Sequence, residues 1–126
     1  MMKVYLSGGM KSNWRNEIKQ FVSAIWIDPC EHGLNIASEY TIWDLAGIRN
    51  CDVVFAYLEK DNPSGLGLML EIGYAKALNK VVILVDAQDN KYMLIGHNTA
   101  DCYYSEFEDG ITVLKSLSKI YKDENG

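Results

Sequence analysis

The chain has 126 residues, 12 basic against 17 acidic, a formal net charge of −5, and 48% hydrophobic residues. That is one domain with apolar material enough for its own core. No apolar run approaches the about 20 residues of a membrane span, and no basic excess marks a binder of nucleic-acid polymers. A small anionic ligand stays open, because backbone N–H groups hold anions locally whatever the net charge.

In chain order, Lys3–Leu6 reads as a short buried strand running into a tight Ser7-Gly8-Gly9 turn. Asn13 is an N-cap for a helix from Trp14, with Trp14, Ile18, Phe21, Val22 and Ile25 at helical spacing on one face. A brief strand at Trp26–Ile27 ends at Asp28-Pro29. Residues Cys30–Tyr40 read as a loop. Ile42, Leu45, Ala46 and Arg49 outline a short second helix. Asp52–Leu58 is the clearest strand. Asp61–Gly65 has turn composition, and Leu68–Leu78 is a helix rich in Leu, Ala and Met. Val81–Val85 is another apolar strand, followed by a loop with Gly96-His97-Asn98. A weak strand at Cys102–Tyr104, a helix near Ile111–Tyr121 and a polar tail, Lys122–Gly126, complete the chain.

Strands alternating with helices, and apolar on both faces, predict a parallel sheet covered on both sides. Five such strands suggest a flavodoxin-like (Rossmann-like), doubly wound order 2-1-3-4-5. Ligands then bind at the switch point between strands 1 and 3, beyond their carboxyl ends. This singles out two glycine-rich loops, Ser7–Met10 and Glu59–Gly67. Cys30, Cys51 and Cys102, odd in number and without a CxxC, read as free thiols of a reducing compartment. With no apolar leader visible, the expected location is the cytoplasm. His32 and His97 lie far apart, so no zinc site is expected.

Glu71 is a lone charge in an apolar helix that follows the second loop. Interaction with the helix dipole would explain a first-turn glutamate, but its place near the switch point favours a site residue. Asp44, on the helix before strand 3, reads alone as part of a solvated face. Tyr5, on strand 1, is a core tyrosine by default, yet at the carboxyl edge its phenol is within reach of Glu71 as a donor. The run Pro63-Ser64-Gly65-Leu66-Gly67 opening a helix offers free N–H groups to an anion or a sugar hydroxyl. Ser7-Gly8-Gly9 is weaker, being neither a GxGxxG nor a P-loop sequence.

These residues form an ordered pattern: Tyr5-Leu6-Ser7-Gly8-Gly9, Trp43-Asp44-Leu45, Cys51-Asp52-Val53-Val54-Phe55-Ala56-Tyr57, Asn62-Pro63-Ser64-Gly65-Leu66-Gly67, Glu71-Ile72-Gly73-Tyr74-Ala75 and Lys80-Val81-Val82-Ile83. From residue 3 to about residue 85 the pattern resembles the nucleoside 2-deoxyribosyltransferase superfamily, which includes the deoxynucleoside 5′-monophosphate N-glycosidases. The resemblance implies cleavage of an N-glycosidic bond without a cofactor. Glu71 would attack the anomeric carbon and release the base from a covalent glycosyl-enzyme. Tyr5 would orient Glu71, and Asp44 would donate a proton to the leaving base or bind it. Water or a second base would resolve the intermediate. The expected substrate-binding residues are Ser7, Gly8, Gly9, Ser64, Gly65 and Gly67, with Asn98 or His97 as a contribution from a neighbouring subunit. The partner is thus a small nucleoside or nucleotide, and the expected assembly a homodimer or higher homo-oligomer that covers the cleft.

Two departures stand out. Six residues before the glutamate, transferases carry an aspartate and monophosphate hydrolases a serine, where this chain has Gly65, preceded by Ser64. The monophosphate enzymes also have a serine in the first loop, at the place of Gly9. The missing aspartate tilts the expectation toward a 5′-monophosphate hydrolase. The alternative is a non-catalytic nucleotide-sensing module on the same fold.

Overall fold

The computed structural model describes residues 1–125, with side chains through Tyr121. Five strands, β1 (Lys3–Gly8), β2 (Ile25–Ile27), β3 (Val53–Leu58), β4 (Val81–Asp86) and β5 (Cys102–Tyr104), alternate with five helices. These are α1 (Trp14–Phe21), α2 (Ala37–Asn50), α3 (Leu66–Ala77), α4 (Leu94–Thr99) and α5 (Phe107–Asn125). All strand pairs are parallel and the order is β2-β1-β3-β4-β5, the predicted flavodoxin-like arrangement. β1 and β3 stay in register to Gly8 opposite Tyr57. Their loops therefore leave the sheet side by side, where the chain reverses its direction of winding.

The strand period of two divides the core into two layers. Val4, Leu6, Val53, Phe55, Ile83 and Val85 pack against Trp14, Ile18, Ile111 and Leu114 of α1 and α5. Tyr5, Val54, Ala56, Val82 and Leu84 pack on the other face against Ile48, Leu68, Ile72 and Ala75 of α2 and α3. Burying each larger apolar side chain contributes about 1.5–3 kcal/mol. Parity thus sends Tyr5, and Ser7 two residues on, toward the layer that contains α3.

Several boundaries differ from expectation. β1 extends through Ser7 and Gly8, which belong to the ladder with β3 and not to a turn. α2 is fourteen residues long, from Ala37, and a 3₁₀ turn occupies Pro29–Glu31, so the loop after β2 is shorter than predicted. α3 starts at Leu66. Gly96, His97 and Asn98 lie on α4. α5 begins at Phe107 and continues through residues 122–125, expected as a tail; Gly126 lies outside the described residues. α1 ends at Phe21 because Val22 turns extended. Phe21 is 55% exposed and lies under the Lys115 ammonium, 5.4 Å from the ring centroid, so it leaves the buried stripe. Ile25, likewise half exposed, belongs to β2. Asn13 precedes α1 but makes no side-chain cap; its Oδ1 accepts from Asn16 instead.

Candidate active site

A cavity of about 260 Å³ opens beyond the carboxyl ends of β1 and β3. Tyr5, Gly8, Gly9, Asp44, Ser64, Gly65, Gly67 and Glu71 line it, joined by Met10, Arg15, Pro29, Asn62, Leu66 and Leu68. Four separate segments of sequence therefore meet at one switch-point cleft, as the topology requires.

Glu71 stands on the second turn of α3, beyond the first turn where the dipole acts, so helix electrostatics do not account for it. Tyr5 Oη donates to Oε2 at 2.6 Å and Ser7 Oγ donates to Oε1 at 2.7 Å. Both donors come from β1, one residue apart in the inward-facing set. Burial pushes the Glu71 carboxyl above its ordinary value and the nearby Asp44 adds to this; the two hydroxyl donors and Arg15 oppose it. Tyr5 is fully buried. Burial first, and the Glu71 charge second, push its phenol far above its ordinary range, so it remains a donor.

Asp44 projects from α2 into the cavity and not onto a solvated face. Its Oδ1 is buried without a hydrogen bond, and His32 Nε2 stands 3.5 Å from it. Burial raises the Asp44 carboxyl, while His32 and then Arg15 pull it down. A half-buried carboxyl held toward its protonated form is suited to proton donation.

The first loop is held from beneath. Gly8 adopts φ +144°, and a Cβ there would collide with the Tyr57 carbonyl oxygen, so only glycine fits. Arg15 is 5% exposed. It donates to the carbonyls of Gly8 (3.1 Å) and Gly9 and pairs through Nε with Asp28 at 2.9 Å. Trp14 Nε1 also donates to the Gly9 carbonyl, at 2.9 Å. At the second loop Gly65 takes the left-handed conformation, φ +76°, which lets α3 begin at once. Ser64 Oγ accepts the Leu66 N–H at 3.2 Å, and the remaining N–H groups of that first turn have no helical acceptor.

Ser7 is fully buried and spends its hydroxyl on Glu71, while the cavity walls come from its neighbours. Asn98 is not brought to the cavity. It is exposed on α4 and donates to the Leu94 carbonyl at 2.7 Å. His97 is engaged internally, 2.8 Å from Asp86 Oδ2 and stacked on Tyr103 at 3.8 Å. Arg15 and His32 escaped the sequence reading. An arginine beside Trp14, at the start of a helix led in by a Gly-Gly loop, was a usable signal for the first. His32 lies between regular elements and offered none. Among the described residues, no group of three or more His, Cys, Asp or Glu side chains is arranged to hold a metal ion. No helix among them is long and apolar enough to cross a membrane.

Fold and cleft define a parallel α/β protein whose switch point holds two carboxyls in a small-molecule-sized cavity. The sequence matches the nucleoside 2-deoxyribosyltransferase family over residues 27–115, and the chain belongs to that family. The match extends past β4 but starts after β1, so it is the structure that joins Tyr5 and Ser7 to the site. Among solved structures, the 2-deoxyribosyltransferase of Bacillus psychrosaccharolyticus is similar with a TM-score of 0.71 and 19% identity, over 85% of this chain and 88% of that one. That of Leishmania mexicana has a TM-score of 0.69 and 18% identity, over 92% and 98%. The CMP N-glycosidase of Clostridium botulinum has 0.62 and 23%, over 91% and 98%. At these identities the likeness is one of fold. No curated protein sequence matches the chain.

Proposed function

We propose that the protein cleaves the N-glycosidic bond of a nucleoside or its 5′-monophosphate through a covalent glycosyl-Glu71 intermediate. The observation that carries this reading is the double hydrogen bond from Tyr5 and Ser7 to a half-buried Glu71. It holds the carboxylate in one orientation at the cavity wall, as attack on the anomeric carbon requires. Asp44 supplies a proton to the departing base, a contribution on the order of 10²–10⁴ in rate. Glu71 works ionised and Asp44 works protonated; the two like charges in one cleft disfavour joint ionisation.

Water as the acceptor, and a 5′-monophosphate as substrate, are favoured over transfer between free nucleosides. Gly65 replaces the aspartate that the resemblance associates with transferases, and Ser64 and the start of α3 line the cavity with donors suited to an anion. A second copy of the chain covers the cleft. Leu66 and Leu70 on α3 are 78% and 60% exposed, and Leu94 and Ile95 on α4 are likewise open to solvent. Asn98 shares α4 with that apolar surface. A cytoplasmic location fits the three free cysteines. Nothing in the geometry favours the non-catalytic sensing module.

The test is a panel of nucleosides, 2′-deoxynucleosides and their 5′-monophosphates, with and without a second base, read by chromatography of released base. Release should occur with wild type and vanish in Glu71→Ala. Release that persists in that variant overturns the nucleophile assignment, and a new nucleoside formed from the second base identifies a transferase.

A further inference from the structure

The buried, unbonded Oδ1 of Asp44 faces an imidazole that is itself held by a backbone hydrogen bond and flanked by two rings. His32 is 8% exposed at its side chain. Its Nδ1 accepts the Leu34 N–H at 2.9 Å, so in the neutral ring the proton sits on Nε2, the nitrogen 3.5 Å from Asp44 Oδ1. Two rings of α2, the helix that carries Asp44, set the plane. Trp43 meets the imidazole edge-on at 4.9 Å, and Tyr40 lies parallel at 6.5 Å. A backbone donor thus selects the tautomer and two aromatic rings select the direction. A core-filling histidine would need neither. Arg15, Glu71 and Tyr5 are the other charged or titratable groups that act on Asp44, and none of them donates to its Oδ1.

We propose that His32 is a positioning residue, whose Nε2–H engages Asp44 Oδ1 so that the carboxyl proton resides on Oδ2 for delivery to the leaving base. The proposal rests on the assignment of Asp44 as proton donor. As a Glu71 carboxylate oxygen bonds to the anomeric carbon, the bond from that carbon to the base nitrogen breaks and its electron pair stays with the base. The base takes the proton from Asp44 Oδ2. Asp44 is left as a carboxylate whose Oδ1 accepts from His32. A gap of 3.5 Å in the free protein is of the kind that tightens when substrate completes the site.

The proposal is tested on whichever member of the panel wild type cleaves fastest. His32→Leu should lower kcat at least tenfold with KM within about threefold. His32→Gln, whose amide N–H reaches the Nε2 position, should recover kcat to within about threefold of wild type. His32→Asn, which reaches only the Nδ1 position, should not. In an Asp44→Asn background His32→Leu should cost less than twofold, because residues acting through one another are not additive. An undiminished cost in that background, or equal recovery by Asn and Gln, overturns the positioning role. Should His32→Leu fail to fold, the Gln and Asn pair still discriminates. Imidazole ¹⁵N shifts of the wild type give a further check, with a protonated Nδ1 in the neutral ring overturning the proposal. Base release equal in wild type and Glu71→Ala overturns the assignment of Glu71 as nucleophile, an outcome distinct from failure of His32 alone.

Discussion

Tyr5 and Glu71 are 66 positions apart in sequence, and Tyr5 Oη lies 2.6 Å from Glu71 Oε2. The contact exists because β1 directs Tyr5 toward the α3 layer while α3 descends along the same end of the sheet. Tyr5→Phe keeps the ring and removes the donor. A half-buried carboxylate oxygen then lacks its partner, which costs about 1 kcal/mol or more. We expect a lower melting temperature, a loss of kcat of about tenfold or more, and an acid limb of the pH–rate profile moved to higher pH. Thermal unfolding and a pH series of initial rates check all three, and an unchanged acid limb would contradict the link between this contact and Glu71 ionisation.

Glu71→Gln should be inactive yet more stable than wild type near neutral pH. Burial first, and Asp44 second among the raising influences, hold the Glu71 carboxyl above its ordinary value. Between the ordinary and raised values the native state binds the extra proton. The associated stability is complete below the unfolded value, about 4.3, and is lost as pH rises through the native one. At neutral pH the ionised group therefore burdens the fold, and glutamine relieves it. The expected gain in melting temperature is a few degrees at pH 8, shrinking toward pH 4. Calorimetry across that range would show the trend, and a gain independent of pH would refute it.

Asp28 predicts the opposite pH behaviour. It is buried, yet Lys19, the Cys30 N–H and Arg15 outweigh the burial and hold its carboxyl below the ordinary range. Its contribution is present above the unfolded value, about 3.9, and is lost as pH falls through the lowered native value. Asp28→Asn should therefore be less stable than wild type at pH 7, with the difference narrowing below pH ~4. Equal melting temperatures at pH 7 would count against the pair.

Arg15→Met removes one side of that buried pair and both of the guanidinium bonds to the Gly8 and Gly9 carbonyls. Because Lys19 remains 2.8 Å from Asp28, the loss should be near the low end for a broken buried pair, about 3 kcal/mol. Denaturant unfolding reads the loss. Initial rates should show a raised KM if the Gly8–Gly9 loop contacts substrate.

Leu70→Glu tests the proposed second copy. Leu66, Leu70 and Gly73 follow one another at helical spacing on the outer side of α3, all exposed, with open space beyond Gly73. A charge at position 70 should leave the fold intact, convert a dimer to monomers in sedimentation, and reduce base release. A wild type that sediments as a monomer would remove the need for a partner at the cleft.

The sequence alone determined the layer arrangement. The apolar strands Val53–Leu58 and Val81–Val85, set between helical stretches, have no stable home except a parallel sheet covered on both faces, and that sheet has a switch point. It also marked Glu71, because a lone carboxyl in an apolar helix stands out in one dimension, whereas Asp44 reads as a solvated helix residue until the ordered pattern of motifs is taken together. Only the tertiary structure decided which groups act on them. Ser7 reads as a turn residue until β1 is seen to continue through it. Arg15 has no assigned role in the sequence, and only the docked helix brings its guanidinium to the Gly8 and Gly9 carbonyls. His32 reads as nothing until the chain after β2 folds back to place its Nε2 beside Asp44. Local periodicity specifies which face of an element is buried. The partner met across that face is set by how distant elements pack, and these hydroxyls, guanidinium and imidazole became specific only there.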